Sequence, residues 1–277
     1  MLKKLKYYRG EVITIAILMV FFLMIIYPFI WTIISSFKST QEIFENIWGL
    51  PAQWLFSNYV QAWQSGVAKY FLNSVVVTVA TVLLTLTCAS LFAYSMVIHQ
   101  YRFKKVLMAL AVVAMLFSPI VSLIPLFQEI QAMGLYDTRL SLILIYSAYQ
   151  LPVSFLLLHD YFGSIDHDYL DAARIDGCSD LRALFSIFAP MSKPILITCA
   201  VLTGFYAWNE FSFALIMVKN DALRTIPVGL LFFKGEMHTE WGVLLAGLVI
   251  SAIPIVVFFI FAQKYFIAGL SGDGIKG

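Results

Sequence analysis

Charged residues vanish from this chain for long intervals, and those intervals set the expected architecture. None falls between Glu11 and Lys38, between Lys69 and Arg102, between Lys105 and Glu129, or between Arg139 and Asp160. Two further apolar runs follow, 194–218, interrupted by Glu210, and 241–263. At 1.5 Å per residue each is long enough for a helix to cross about 30 Å of hydrocarbon. Strict alternation in shorter segments, the mark of a membrane β-barrel, is not seen. The pattern predicts six helices, over about 12–37, 70–98, 106–128, 140–160, 194–218 and 241–263. Lys3, Lys4, Lys6 and Arg9 precede the first run, as in a secretory signal. A signal's apolar core is only about 7–15 residues and ends at small residues. This run continues through Trp31 to Phe37, so it is expected as a retained span.

Composition supports the bilayer as solvent. Of 277 residues, 61% are hydrophobic and 12% charged, against about 25% charged in soluble domains. One membrane domain covering 1–277 is the simplest organisation. The net charge of +2 includes no basic block or aromatic-basic patch that would suit nucleic acid. Cys88, Cys178 and Cys199 show no paired spacing, and the four histidines share no ligand spacing, so no metal is expected. Orientation follows from Lys and Arg. With both termini in the cytoplasm, twelve of the 18 lie inside and six outside.

One inside segment is more than a connection. Residues 163–193 read as two short helices and a turn. Asp166 or Ser164 can cap the first, Gly177 can stop it in a left-handed conformation, Ser179 or Asp180 can cap the second, and Pro190 ends it. Ala172 and Ala173 leave bare helix surface, as a knob entering a groove requires.

These residues resemble the cytoplasmic signature of ATP-binding-cassette importer permeases: Glu-Ala-Ala, three residues, Gly, nine residues, Ile, any residue, Leu-Pro. Here the positions are Asp171, Ala172, Ala173, Gly177, Ile187 and Ala189-Pro190, with every interval kept. Asp replaces Glu and Ala replaces Leu. Ser36-Phe37-Lys38, Phe71-Leu72-Asn73-Ser74, Trp208-Asn209-Glu210-Phe211 and the end of the chain resemble the sugar branch, especially maltose-type permeases. The resemblance implies the type I importer permease fold, all-α and polytopic, in a bacterial or archaeal cytoplasmic membrane. It also implies a second, similar permease subunit, two ATPase subunits, an extracytoplasmic solute-binding protein and a sugar substrate, of oligosaccharide class by that branch. The loop 171–190 would seat in the ATPase, and the tail residues Gly274, Ile275, Lys276 and Gly277 would enter the ATPase interface. No phosphate-loop sequence occurs, so ATP and Mg belong to the partner and this chain is expected to be no enzyme.

Glu210 is the ionisable residue set well inside an apolar run, where a carboxylate is costly and must face protein or water. With Trp208 and Asn209 it forms a candidate sugar pathway: aromatic faces stack on sugar rings, and Asn and Glu bond hydroxyls. The alternative is that Asn209 and Glu210 bond neighbouring helices. The outside segment 219–240 corresponds in position to a loop that reaches the binding protein in maltose-type permeases, with Gly235, Glu236 and Met237 at its tip. Pro119, Pro125, Pro152 and Pro254 permit kinks. Importers of amino acids, peptides or phosphate share the loop signature more loosely. An ion-coupled secondary transporter would need more buried acidic or His residues than Glu210, and an intramembrane enzyme would need paired catalytic residues.

Overall fold

The computed structural model describes residues 2–99, 101–232 and 239–271, and these contain helices but no strand. In chain order the helices are α1 (Leu2–Ser35), α2 (Thr40–Glu45), α3 (Ser57–Ala62), α4 (Ala68–Ile98), α5 (Lys104–Ala114), α6 (Pro119–Ala132), α7 (Arg139–Gly163), α8 (His167–Ile175), α9 (Asp180–Met191), α10 (Lys193–Asn209), α11 (Ser212–Met217), α12 (Ile226–Leu231) and α13 (Trp241–Ser271). A wide π turn, Trp63–Val67, joins α3 to α4, with Gly66 at φ 130°. Among the described residues, four stretches are long and apolar enough to cross a membrane, or six if two bent pairs each count as one. The all-α polytopic class expected from the sequence is what forms.

Two expected spans are interrupted. The segment 106–128 is divided between α5 and α6, which meet at 105°. Pro119 explains the site of the break, because proline has no N–H to continue a helix but starts one well. The segment 194–218 is α10 followed, after Glu210 and Phe211, by the short α11.

The chain forms two compact units. In the first, Met1–Val67 with Leu230–Ala252, the end of α1 is tied down by its own neighbours. Asn58 donates to the carbonyls of Ser36 (2.8 Å) and Lys38 (2.9 Å), and Ser36 shares a 2.7 Å hydrogen bond with Tyr59. Phe37 packs against Trp54, Phe56 and Tyr59, with ring centroids 5.0–5.2 Å apart. Lys38 is fully buried, and its Nζ donates to the Asn46 carbonyl at 2.7 Å. In the sequence Lys38 only marks the end of the first charge-free run. Its fold-back onto α2 had no local signal. Ser36, Phe37 and Lys38 thus fasten the C-terminal end of α1 to the segment that follows it.

The second unit, Ala68–Gly229 with Ile253–Gly277, is built on α4 packed against α7 and α10. The buried stripe of α4 includes Ser74, Val77, Thr81, Thr85, Ala89 and Ala93, spaced three to four apart. Its exposed positions include Leu72, Val76, Val79 and Leu83. Small residues face protein and large apolar ones face outward, the reverse of a water-soluble helix. Lipid is as apolar as leucine, so close backbone approach and van der Waals packing drive helix association in a bilayer.

Candidate functional site

The signature loop is built as two short helices, α8 and α9. Asp166 caps α8, its side chain accepting from the Asp168 N–H at 3.2 Å, and Ser179 caps α9, accepting from the Arg182 N–H at 3.4 Å. Of the two candidates for each cap, the residue that adopts extended backbone just before its helix is the one used. Gly177 stops α8 with φ 74°, and the Cys178 N–H returns to the Ala173 carbonyl at 2.9 Å. Pro190 does not end α9, which runs to Met191. A wide π turn over Leu184–Phe188 lies just before it, so the hydrogen bond that proline cannot make falls where the helix is already opened.

The loop has two faces. Leu170, Ala173, Ala183, Leu184 and Phe188 are buried. Phe188 sits edge-on to Tyr94 of α4 (5.0 Å) and to Phe162 of α7 (5.8 Å). This seats α9 in the same cluster as the lower part of the helix core. The other face leaves Ile175 86%, Leu181 61% and Phe185 60% exposed, together with Asp171, Ala172 and Gly177. Ile187 is half-buried. A chain of polar contacts runs across the loop: Arg174 lies 4.0 Å from Asp171 and 3.8 Å from Asp180, and Asp180 lies 3.6 Å from the His99 ring at the end of α4. The exposed side of the loop therefore carries Asp171, Ala172 and Gly177 beside Ile175, Leu181 and Phe185, while Ala173 is buried and Leu170, Leu184 and Phe188 pack its back into the core.

Trp208, Asn209 and Glu210 go to three different surroundings. Trp208 is buried, edge-on to Phe71 at 5.6 Å, and borders an apolar cavity of about 550 Å³ with Gly204, Phe205, Pro254 and Phe258. Asn209 is exposed and donates to the Phe205 carbonyl at 2.8 Å. Glu210 bridges the break between α10 and α11. Its carboxylate accepts from the Tyr146 hydroxyl (2.7 Å) and from the N–H groups of Phe213 (2.9 Å) and Ala214 (3.1 Å). Those two amides open α11 and have no partner inside it. The tip residues Gly235, Glu236 and Met237 and the tail residues Gly274 to Gly277 lie outside the described residues.

At the other end of α4, the segment after α11 is held by residues that the sequence marked only through resemblance. Asn73 donates to the carbonyls of Ala222 and Arg224, both at 2.9 Å, and Ser74 accepts from the Ile226 N–H at 2.9 Å. Asp221 is bonded by Lys69 and by the Tyr70 hydroxyl, and Arg224 lies 3.2 Å from it. The hydrogen bond from Lys69, then that from Tyr70, hold the Asp221 carboxyl below the usual carboxylate range. A group with a depressed folded pKa contributes stability above its unfolded value, near pH 4, and loses it as pH falls through the folded value. Acidification below about pH 4 is accordingly expected to raise the mobility of a spin label at Ala222, and Asp221→Asn to raise it already at neutral pH. A label insensitive to both would remove the carboxylate from the tie. Among the described residues no group of His, Cys, Asp and Glu could hold a metal ion.

The family model for "Binding-protein-dependent transport system inner membrane component" matches residues 85–271, which takes in α5 to α13 and the whole signature loop. The chain belongs to this family. It is 42% identical to the probable ABC transporter permease protein YurM of Bacillus subtilis, over 98% of this chain and 91% of that one. It is 31% identical to the diacetylchitobiose uptake system permease protein NgcG of Streptomyces coelicolor, over 96% and 89%. Its fold superposes on a bacterial ABC transporter crystal structure, described as involved in import of the acidic polysaccharide alginate. That match has TM-score 0.81 and 25% identity, and covers 92% of this chain and 96% of that one. The chain is therefore a multi-pass membrane transport subunit with the importer permease fold, as the resemblance implied.

Proposed function

We propose that this chain is one of two similar permease subunits of an ATP-driven sugar importer in a bacterial or archaeal cytoplasmic membrane. Oligosaccharides are the substrate class, in keeping with the relatives named for diacetylchitobiose and alginate. Two ATPase subunits supply ATP and Mg chemistry in trans, and an extracytoplasmic binding protein delivers the sugar.

The two-faced loop carries this reading. A surface of Ala172, Gly177, Ile175, Leu181 and Phe185 left open to water is an interaction site by its chemistry. Its back is fixed by Leu184 and Phe188 to α4 and α7. Motion of a partner seated on it is passed to the membrane helices instead of being absorbed by bending, which is what alternating access driven from outside the chain requires. On this reading the loop lies in the cytoplasm and Asp171, Ala172, Ala173, Gly177, Ile187 and Pro190 form the coupling element. The tail Gly274, Ile275, Lys276 and Gly277 reaches the ATPase interface, and Gly235, Glu236 and Met237 reach the binding protein. Asn209, exposed beside the break in the fifth span, is the strongest pathway candidate of its trio.

Reconstitution in liposomes with the permease, ATPase and binding protein encoded alongside tests this. ATP hydrolysis stimulated by the sugar-loaded binding protein, with uptake of that sugar, is the expected result. Uptake by this chain alone under an ion gradient would refute it.

A further inference from the structure

The segment that follows α1 does not simply leave the membrane. It turns at residues 36–38, forms α2, and then runs back alongside α1 before returning. The Trp31 indole N–H donates to the Ile47 carbonyl at 2.9 Å, and the Trp48 ring lies 5.8 Å from that of Tyr27. On the return, the Leu55 N–H donates to the Phe37 carbonyl at 2.9 Å. Both arms are held at Phe37 and Lys38, while the tip, residues 46–50, reaches the level of Trp31 and Tyr27.

That level lies below the membrane surface. The stretch of α1 suited to crossing a membrane, Thr14–Ser35, has 22 residues, a length of roughly 33 Å against roughly 30 Å of hydrocarbon. Ser35 then marks the hydrocarbon boundary. Trp31 and Tyr27 lie about 6 and 12 Å beneath it along the helix, and helical side chains lean further toward the N-terminus. The tip is dressed for this depth. Trp48 is 72% and Leu50 66% exposed, with Ile47 exposed beside them. No Lys or Arg occurs between Lys38 and Lys69, and Lys38 itself is buried against the Asn46 carbonyl.

Irregular backbone is ordinarily kept out of hydrocarbon because unpaired N–H and C=O groups are costly there. Around this tip many of them are paired from within. The Asn46 carbonyl accepts from Lys38, and the Ile47 carbonyl from Trp31. The Asn46 side chain serves two more, accepting from the Gly49 N–H at 2.9 Å and donating to the Leu50 carbonyl at 3.4 Å. Pro51 has no N–H to satisfy, and the Ala52 N–H donates to the Glu42 carboxylate at 2.6 Å. Gly49 makes the arrangement possible, since a Cβ there would come within 2.2 Å of the Asn46 side chain. A loop in water could leave these groups to the solvent.

We infer that residues 46–50 are a re-entrant anchor that binds lipid in the leaflet at the Ser35 end of α1. Ile47, Trp48 and Leu50 lie among the upper acyl chains. Trp54, stacked on Phe37 beyond the end of α1, lies nearer the headgroups, a zone that tryptophan favours. Because no cation accompanies the tip, it contacts the acyl and glycerol region of phospholipid and does not select anionic headgroups. The inference needs only the membrane location of α1 and is independent of the solute carried.

The test places a nitroxide label at Trp48→Cys or Leu50→Cys in the full-length chain, with Cys88, Cys178 and Cys199 changed to Ala. The complete transporter is reconstituted in phosphatidylcholine vesicles. Collisions with oxygen, which partitions into hydrocarbon, are compared with collisions with a water-soluble nickel chelate. Oxygen is expected to dominate at both tip sites, and the nickel chelate at Gln41→Cys on exposed α2. Trp31→Phe removes the donor to the Ile47 carbonyl and Gly49→Ala displaces the Asn46 side chain. Each is expected to shift the balance at the Leu50 site toward nickel. The Leu50 label leaves Trp48 in place and decides the matter should Trp48→Cys fail to assemble. Nickel dominating at the Leu50 site without those changes would show a solvated loop. Few collisions with either reagent would show a face covered by another protein chain. Either result overturns the inference. An oxygen-dominated tip that neither Trp31→Phe nor Gly49→Ala moves overturns the backbone pairing on which the anchor stands.

Discussion

Gly177→Asp is expected to lower binding-protein-stimulated ATPase and uptake by about 30-fold or more while the chain still inserts and folds. The two halves of that expectation have different physical sources. Gly177 holds φ 74°, and a Cβ built there meets nothing within 4 Å. Within the chain, a side chain would therefore cost only backbone energy. That cost is about 1–2 kcal/mol for an ordinary L-residue, and it is smaller for Asp and Asn, which enter the left-handed region more readily than others. On the proposed reading, the open space at Gly177 is where the ATPase seats. A side chain placed there obstructs the seat of the exposed face of α8, and a charge must be desolvated beside Ile175 and Leu181. Losing one central contact of an interface costs about 2 kcal/mol or more, which at 1.4 kcal/mol per tenfold corresponds to about 30-fold. Gly177→Asn separates the causes, since it keeps the backbone and adds similar bulk without charge. Melting temperature of the detergent-solubilised chain and co-purification with the ATPase are the two readouts. A Gly177→Asp importer that melts normally, co-purifies normally and transports normally would show that the open surface is not a docking surface. If Gly177→Asp unfolds and Gly177→Asn does not, charge at a buried intrachain contact is responsible, and the open-surface account fails.

The sequence made the loop legible because its constraints are local. A cap, a left-handed glycine and a second cap recur at fixed offsets, and each is a property of a few adjacent residues. The membrane-spanning segments were legible for a similar reason, since an absence of charge over about 20 residues has few other uses. The bend between α5 and α6 was not, although Pro119 was noted. Hydropathy is blind to direction, and residues 115–118 are as apolar as the helices they join. Lys38 shows the opposite failure. A lysine at the end of an apolar run reads as a solvated flank, yet it is fully buried because α2 folds back and offers the Asn46 carbonyl. Asn73 and Ser74 could be quoted only as a resemblance, because their partners lie some 150 positions away in the chain. No period or spacing rule reaches that far. What resemblance supplied there, the hydrogen bonds explain.

Glu210 is expected to act as scaffold, and its replacement to show as lost stability before lost transport. Its carboxylate serves three donors at the point where the fifth span breaks: the Tyr146 hydroxyl and the N–H groups of Phe213 and Ala214. Removing it strands these donors where little water reaches, at about 1–3 kcal/mol for each one that finds no other partner. Relaxation of the short α11 recovers part of this, so Glu210→Ala is expected to cost about 2–4 kcal/mol. Glu210→Gln retains one acceptor oxygen and should lose roughly half as much. Tyr146→Phe removes the hydroxyl donor, and because it shares that bond with Glu210 the two substitutions should not add. Asn209 provides the contrast. It is exposed and, among the described residues, bonded within its own turn to the Phe205 carbonyl, which leaves its amide oxygen to meet a passing hydroxyl. Asn209→Ala is expected to leave melting unchanged and to shift transport rate or sugar selectivity. The opposite pattern, with Glu210→Gln altering selectivity at unchanged melting and Asn209→Ala silent in transport, would place the carboxylate in the pathway and make its three hydrogen bonds a resting arrangement that the sugar displaces.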